Sequence, residues 1–428
     1  MKFRPLLRDE AVGGIQTMTP DVVDVGANFR RRSSNTTAAA ALAEPREGRV
    51  MNEYSVVDYC RVHSWFDRQH FYQGLARSWA RTRPHLFVSS AVPWPGGRPG
   101  HHGGRWIGGG YLHQPFRGLW ILEPVITRGA RFRSIRHLHD VLVAQATVRA
   151  IRAIGFDLDR LLVWAYWSHA LPLLDRLPGA CSVYWTGDEV INPNEPELLR
   201  RVDHVFAVSP DAMTRHQTMV GAKLTAMPMA INPDPFIAAQ VAVDPPADLR
   251  ELRRPLIGYG GAISARIDWE IIREVANRTT GTLVLVGPAV DEEGARQLKD
   301  LSRLPSVAWL GHRGLDEAPA YLAAFDAALI PYKRNRFNDG SNPVKFYEYL
   351  AAGVPVISVA LPALLAFGDV ATFTDDPASF AEAANRAAAK PVDVAAVRHR
   401  QQIAREHSYE QLVNRIEARI ADSGCLSS

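Results

Sequence analysis

The densest chemistry in the chain lies between Asp339 and Ser358, which reads Asp-Gly-Ser-Asn-Pro-Val-Lys-Phe-Tyr-Glu-Tyr-Leu-Ala-Ala-Gly-Val-Pro-Val-Ile-Ser. Asn342 suits a helix N-cap and Pro343 the first helical position, where a missing amide proton is no loss. Lys345 and Glu348 are three residues apart and would share one helical face. A helix start carries unpaired amides and a positive dipole end, a combination that suits a phosphate. Lys345 adds a point charge there. Only six of the 49 basic residues are lysine, so a lysine stands out where arginine is the default cation. Glu348, one turn further on, can accept hydrogen bonds from a ribose diol. The plainer alternative is a surface helix with one i,i+3 ion pair, worth about 0.2–0.5 kcal/mol.

Asp188 and His169 each follow a strand-like run, at positions that would form the lip of a cleft. Either could orient an acceptor group or take its proton. A turn aspartate after Gly187, and a packed or capping histidine, are the alternatives. Trp94 and Trp106 flank a very Gly-rich stretch, suit a core poorly and could stack on an acceptor. That stretch is expected to be a flexible lid. Its His101-His102 pair has no acidic or cysteine partner close in sequence, so no metal site is expected.

The elements that must position these groups are short, β-branched runs alternating with helix-length segments. Strands are expected at Val56–Cys60, His85–Ser89, Leu119–Leu122, Leu161–Ala165, Ser182–Trp185, His204–Val208 and Leu224–Met227. A second series is expected at Leu256–Gly260, Leu283–Gly287, Val307–Leu310, Ala327–Ile330 and Val356–Val359. Such alternation predicts an α/β chain of βαβ units on parallel sheets. The division expected is a disordered tail over 1–50, a Rossmann-like domain over 51–237, a linker over 238–254 and a second Rossmann-like domain over 255–406. A closing helix over 407–428 ends the chain, and Val394–Ala421 reads as one long helix. The two domains would meet at a cleft built from the carboxyl ends of their strands.

Composition narrows the class. The 428 residues are 47% hydrophobic and 22% charged, as in ordinary soluble domains, and the net charge of +4 is too small to suggest a nucleic-acid binder. Between Arg98 and Arg136 lie seven arginines and one glutamate. This stretch reads as a solvated basic face, or as one that meets an anionic membrane surface. Cys60, Cys181 and Cys425 are far apart and odd in number, so neither a disulfide framework nor a zinc site is expected and a reducing cytoplasm fits. Tyr349–Phe367 is free of charge, but Gly353, Pro355 and Pro362 break it, against a membrane span. Translation could begin at Met1 or Met51.

The Asp339–Ser358 segment resembles the donor-binding helix of GT-B glycosyltransferases, specifically the group 1 (retaining, glycogen-synthase-like) set. Four other segments agree in order and spacing: Ser182–Glu189, Val205–Pro210, Leu256–Asp268 and His407–Ile416. The resemblance implies the GT-B fold and a metal-independent transfer of a sugar from a UDP- or GDP-sugar to an acceptor, with retention. It implies that Gly260 and Gly261 let backbone approach the donor diphosphate, that Arg266 and Lys345 neutralise it beside Ser341 and Asn342, and that Glu348 binds the ribose. No cofactor is implied beyond the co-substrate. A tight turn at Gly260-Gly261, and a surface pairing of Arg266 with Asp268 or Glu270, stay open.

Two departures from the family pattern bear on the site. The first glutamate of a Glu-x7-Glu pair falls on Gly340, with Asp339 beside it, so a donor-sugar contact is assigned to that pair of residues. The interdomain turn reads Pro228-Met-Ala-Ile-Asn232. A nucleotide-sugar 2-epimerase or an inactive nucleotide-sugar-binding subunit are the alternatives. The acceptor would be a specialised metabolite or a cell-envelope glycan.

Overall fold

The computed structural model describes residues 54–61, 63–66, 71–94, 104–127, 133–187, 194–241 and 244–426. The expectations for the 1–50 tail, Met51, Asp188 and His101-His102 lie outside these residues. Within them, two separate sheets form.

The first sheet contains β1 (Ser55–Tyr59), β2 (His85–Val88), β3 (Val92–Trp94), β4 (Arg105–Trp106), β5 (Gly110–Phe116), β6 (Leu119–Thr127), β7 (Leu161–Ala165), β8 (Cys181–Thr186), β9 (His204–Ala207) and β10 (Leu224–Ala226). Its order is β10-β9-β8-β7-β1-β2-β6-β5-β4, with β3 paired to β6. The second contains β11 (Leu256–Gly260), β12 (Thr282–Val286), β13 (Val307–Gly311), β14 (Ala327–Ile330), β15 (Val356–Ser358) and β16 (Ala371–Phe373), in the order β13-β12-β11-β14-β15-β16.

Every residue of Leu161–Ala165 (LLVWA) and of Thr282–Val286 (TLVLV) is buried, as a parallel strand covered on both faces requires. Each fully buried Leu, Val or Ile of this kind stabilises the fold by about 1.5–3 kcal/mol relative to exposure. In each sheet the chain first fills one side of its first strand and then crosses to that strand's other side. β11 therefore separates β12 from β14, and β1 separates β2 from β7. Those reversals leave a crevice beyond the carboxyl ends of β11 and β14, and another beyond those of β1 and β7.

Four expectations are corrected. β6 runs on to Thr127 and pairs antiparallel with β5, which pairs antiparallel with β4. The stretch read as a linker holds the end of a helix, Asp234–Gln240, and a second helix, Ala247–Arg250. The final helix is two, Val394–Glu406 and Tyr409–Asp422, because Ser408 caps the second by accepting from the Gln411 amide at 3.3 Å. Cys181 and Cys425 form a disulfide with their Cα atoms 5.4 Å apart, although 244 residues separate them. Helix Tyr409–Asp422 brings the chain end to the start of β8, a closeness that spacing does not reveal. Cys60 is free and buried.

Helix Tyr409–Asp422 packs on helix Phe71–Trp79. Glu417 anchors it, accepting from Tyr54 Oη at 3.1 Å, Trp79 Nε1 at 3.1 Å and Arg83 Nε at 2.9 Å. No helix among the described residues is long and apolar enough to cross a membrane.

Candidate functional site

The crevice beyond β11 and β14 gathers most of the sequence-predicted residues. β11 ends at Tyr259-Gly260, and Gly260 is there for packing. Its amide donates to Tyr349 Oη at 2.8 Å, and a Cβ would lie 2.5 Å from Leu322 Cδ2. The Gly260 amide expected to face a diphosphate is thus already engaged. Gly261 is exposed and adopts a φ of +129°, which side-chain-bearing residues rarely take. A Cβ there would stand 2.9 Å from Lys345 Nζ. Glycine keeps the space over that ammonium open.

Lys345 Nζ donates to Tyr259 Oη at 2.7 Å and sits 3.9 Å from the Tyr259 ring centroid. Burial pushes the lysine pKa down, and the nearby Arg266 charge pushes the same way. Arg266 donates from Nε to Asn338 Oδ1 at 2.9 Å and from Nη2 to Ser341 Oγ at 3.4 Å. Its guanidinium lies over Tyr332 at 4.8 Å, and Lys345 Nζ lies 5.1 Å from the same ring. Two cations therefore flank one aromatic ring. Each is lodged by cation–π and hydrogen-bond contacts, and their mutual repulsion favours an anion between them.

Helix Val344–Ala351 starts in this crevice, but not as expected. Pro343 takes the N-cap position, no side chain caps the helix, and Asn342 is not the cap. Asn342 Nδ2 instead donates to Val208 O at 3.2 Å, tying the helix start to the loop after β9. The uncapped amides leave the dipole end for an anion. Ser341 is buried and donates from Oγ to Asn338 O at 2.7 Å. Glu348 is half-buried, and burial raises its pKa although Lys345 opposes the shift.

The donor-sugar assignment to Asp339 and Gly340 fares differently. Asp339 is paired with Arg334 at 2.7 Å, and Arg334 also holds Asp375 at 2.6 Å. Gly340 closes the short helix Arg336–Asp339, its amide donating to Arg336 O at 3.0 Å. A contact from Asp339 to a sugar would have to break the Arg334 pair.

Four residues that build this crevice were not singled out from sequence. Tyr259, Tyr332 and Tyr349 line the lysine and Gly260. Asn338 is fully buried, accepts from Arg266, and donates to the Arg266 carbonyl at 3.3 Å and to the Lys333 carbonyl at 2.8 Å. Its one sequence signal was Asn335-x-x-Asn338, an N-cap pattern that Asn335 fulfils by accepting from the Asn338 amide at 2.9 Å.

The other crevice holds His169, which follows β7 and stacks near-parallel on Trp167 with centroids 6.2 Å apart. Burial, with help from the Arg61 charge, lowers its pKa to about 3. A histidine so shifted is neutral at pH 7 and a weak general base, so orientation fits it better than proton abstraction. Trp106 is 54% exposed on β4 and meets Tyr111 edge-on. Trp94 lies in β3, with its side chain outside the description. Among the described residues, Cys181, Asp203 and Cys425 are the one cluster with metal-ligand proximity, and its two sulfurs are bonded to each other.

Two α/β sheets, parallel but for the β4–β6 edge of the first and each with a crevice at its strand-order reversal, define a GT-B architecture. The chain aligns with an α,α-trehalose-phosphate synthase from Burkholderia vietnamiensis at a TM-score of 0.63 and 14% identity, over 88% of this chain and 100% of that one. It also aligns with a sucrose-phosphate synthase from Thermosynechococcus elongatus at a TM-score of 0.61 and 15% identity, over 86% and 98%. Residues 260–390 match the family model described as glycosyl transferases group 1. TuaH of Bacillus subtilis (strain 168), named for a glycosyltransferase role in teichuronic acid biosynthesis, is 30% identical over 265 residues. That match spans 56% of this chain and 65% of the relative. The chain thus has the GT-B fold, and its residues 260–390 are similar to the group 1 glycosyltransferases.

Proposed function

We propose that the protein transfers a sugar from a nucleoside-diphosphate donor, UDP- or GDP-linked, to an acceptor held by the first sheet's crevice. The observation that carries this reading is the pair of cations around Tyr332 at an uncapped helix start. As the glycosidic bond breaks, negative charge gathers on the leaving diphosphate. Arg266, Lys345 and the first amides of helix Val344–Ala351 are preorganised to receive it. They take the place a divalent ion would otherwise fill, so the reaction is metal-independent. Glu348 accepts from the ribose hydroxyls. Its raised pKa fits a carboxylate that has lost water and gains a donor only when the nucleoside binds.

Retention follows from departure of the diphosphate on the face that the acceptor attacks. Asp188 orients the acceptor and does not abstract its proton. The acceptor is a cell-envelope glycan, a choice that the TuaH likeness favours over a specialised metabolite. The test is turnover of a UDP- and GDP-sugar panel in excess EDTA, with the product's anomeric NMR signal recorded. Activity in EDTA with a retained anomer is expected. Loss restored only by Mg²⁺ or Mn²⁺, or an inverted product, contradicts this account.

A further inference from the structure

We infer that Arg61, with Tyr59, His139 and His169, forms a site for an oxyanion, a carboxylate or phosphate borne by the acceptor. This rests on the transferase reading and adds the acceptor's chemical class to it.

The position is the first observation. Tyr59 is the last residue of β1, Arg61 lies two residues on, and His169 follows β7. All three stand at the reversal of strand order in the first sheet, where α/β sheets bind ligands. The diphosphate reading uses the corresponding point of the other sheet, so this crevice is left for the second substrate.

The backbone is the second. Among the described residues, Arg61 is the one non-glycine with positive φ, at 54°. Its amide is pinned to Val88 O at 2.9 Å, so the unfavourable conformation is imposed by the strand ends. Strain of this kind concentrates where a side chain must be aimed.

The third is a set of polar atoms that lack well-formed hydrogen bonds. Arg61 Nε, Tyr59 Oη and His139 Nδ1 are all buried and make no well-formed hydrogen bond, although the Arg61 guanidinium is close enough to Tyr59 Oη to ease its ionisation. Their side chains are themselves at least nine-tenths buried: Arg61 is 9% exposed, Tyr59 0% and His139 3%. Native proteins seldom leave such groups unsatisfied. The three belong to one cluster. The Arg61 guanidinium lies 5.6 Å from the Tyr59 ring centroid, and its charge helps lower both His139 and His169. Arg61 Nη1 holds Asp140 Oδ1 at 2.6 Å, and His139 Nε2 meets Thr127 Oγ1 at 3.1 Å. Those bonds fix the two side chains while leaving Nε and Nδ1 over.

What remains offers donors: a guanidinium N–H and a phenol O–H, with an imidazole Nδ1 that donates when Nε2 accepts from Thr127 Oγ1. Among the described residues, the carboxylate that Arg61 meets, Asp140, is already occupied by its Nη1. A donor-rich pocket beside a fixed guanidinium selects an acceptor-only group, and a planar carboxylate or a phosphate matches the arginine fork.

The test titrates the full-length chain by calorimetry with glucuronate and with glucose 6-phosphate, using glucose as the neutral control. Each titration is run with and without saturating UDP. At least one anionic sugar is expected to bind more tightly than glucose, and which one does distinguishes carboxylate from phosphate. In Arg61→Gly, where glycine takes the left-handed conformation freely, that binding should weaken about tenfold or more. UDP affinity should hold, while the melting temperature falls because Asp140 loses its partner. Arg61→Asn, which also tolerates this φ, is the second variant should the glycine chain not fold. Anionic sugars that bind no better than glucose, or binding that survives both substitutions, would overturn the inference. A wild type that binds an anionic sugar through Arg61 but no UDP or GDP would instead sink the donor reading and leave this site standing.

Discussion

The two crevices are built from the same topology and differ in how their polar groups are spent. Beyond β11 and β14 the Lys345 and Arg266 cations are already lodged: Lys345 on Tyr259, Arg266 on Asn338 and Ser341, both against Tyr332. Beyond β1 and β7, Tyr59 Oη, Arg61 Nε and His139 Nδ1 are buried and make no well-formed hydrogen bond. The first arrangement suits a group that arrives with the same diphosphate every time, since preorganised charge needs no rearrangement as the bond breaks. The second suits a partner whose binding completes the hydrogen bonding. On the proposed reading, a fold used twice gives a rigid donor side and an acceptor side finished by its ligand.

The largest expected effect tests how the chain end is held to the first half. Glu417 satisfies three donors at once, so Glu417→Ala should cost about 2–4 kcal/mol by removing the acceptor that Tyr54, Trp79 and Arg83 share. Chemical denaturation reads it, and a loss no larger than the 0.2–1 kcal/mol or so of an exposed pair would show the anchor to be ornamental.

A smaller effect probes the acceptor crevice through pH. Unfolded His169 takes up a proton near 6.5 and the folded residue only near 3. Between those values the unfolded chain binds more protons, so the residue's contribution is full above pH 6.5 and is lost as pH falls. At about 1.4 kcal/mol per unit, reduced for its partial exposure, the loss is about 2 kcal/mol. Wild type and His169→Asn should therefore converge in stability, or cross, as denaturation is repeated from pH 7 to pH 4. A constant gap would mean that His169 titrates as it would in water.

Smallest is the donor-side substitution Tyr259→Phe, which keeps the ring under Lys345 but removes the hydroxyl that the ammonium meets at 2.7 Å and that donates to Ala262 O at 2.8 Å. About 0.5–1.5 kcal/mol of nucleotide affinity should go with it. A gain in affinity would show the hydroxyl competing with the diphosphate for the lysine.

Much of the second sheet was readable because its central strands are buried on both faces and appear as unbroken apolar runs. Leu256–Gly260 and Ala327–Ile330 begin and end where their residues imply. The β4–β5 hairpin was not, since GYLHQPF mixes apolar and polar residues and follows a Gly-rich stretch. The break before Tyr409 was missed although Ser408 and Gln411 form an S-x-x-Q capping pattern, because the apolar spacing runs through it. In the site, Lys345 was legible as a charge at a helix start, whereas Arg266 was reached only through the family resemblance. Asn338 and the three tyrosines were not, because their roles depend on contacts with β11 and β14 that no local pattern encodes.

The most direct measurement of the central claim is calorimetric titration of UDP and GDP into wild type and Lys345→Ala, with EDTA present throughout. One of the two nucleotides should bind the wild type without metal. The substitution should weaken it by about 1.5–3 kcal/mol, the share of a charge-assisted hydrogen bond to the diphosphate. A folded Lys345→Ala protein with unchanged affinity would contradict the assignment.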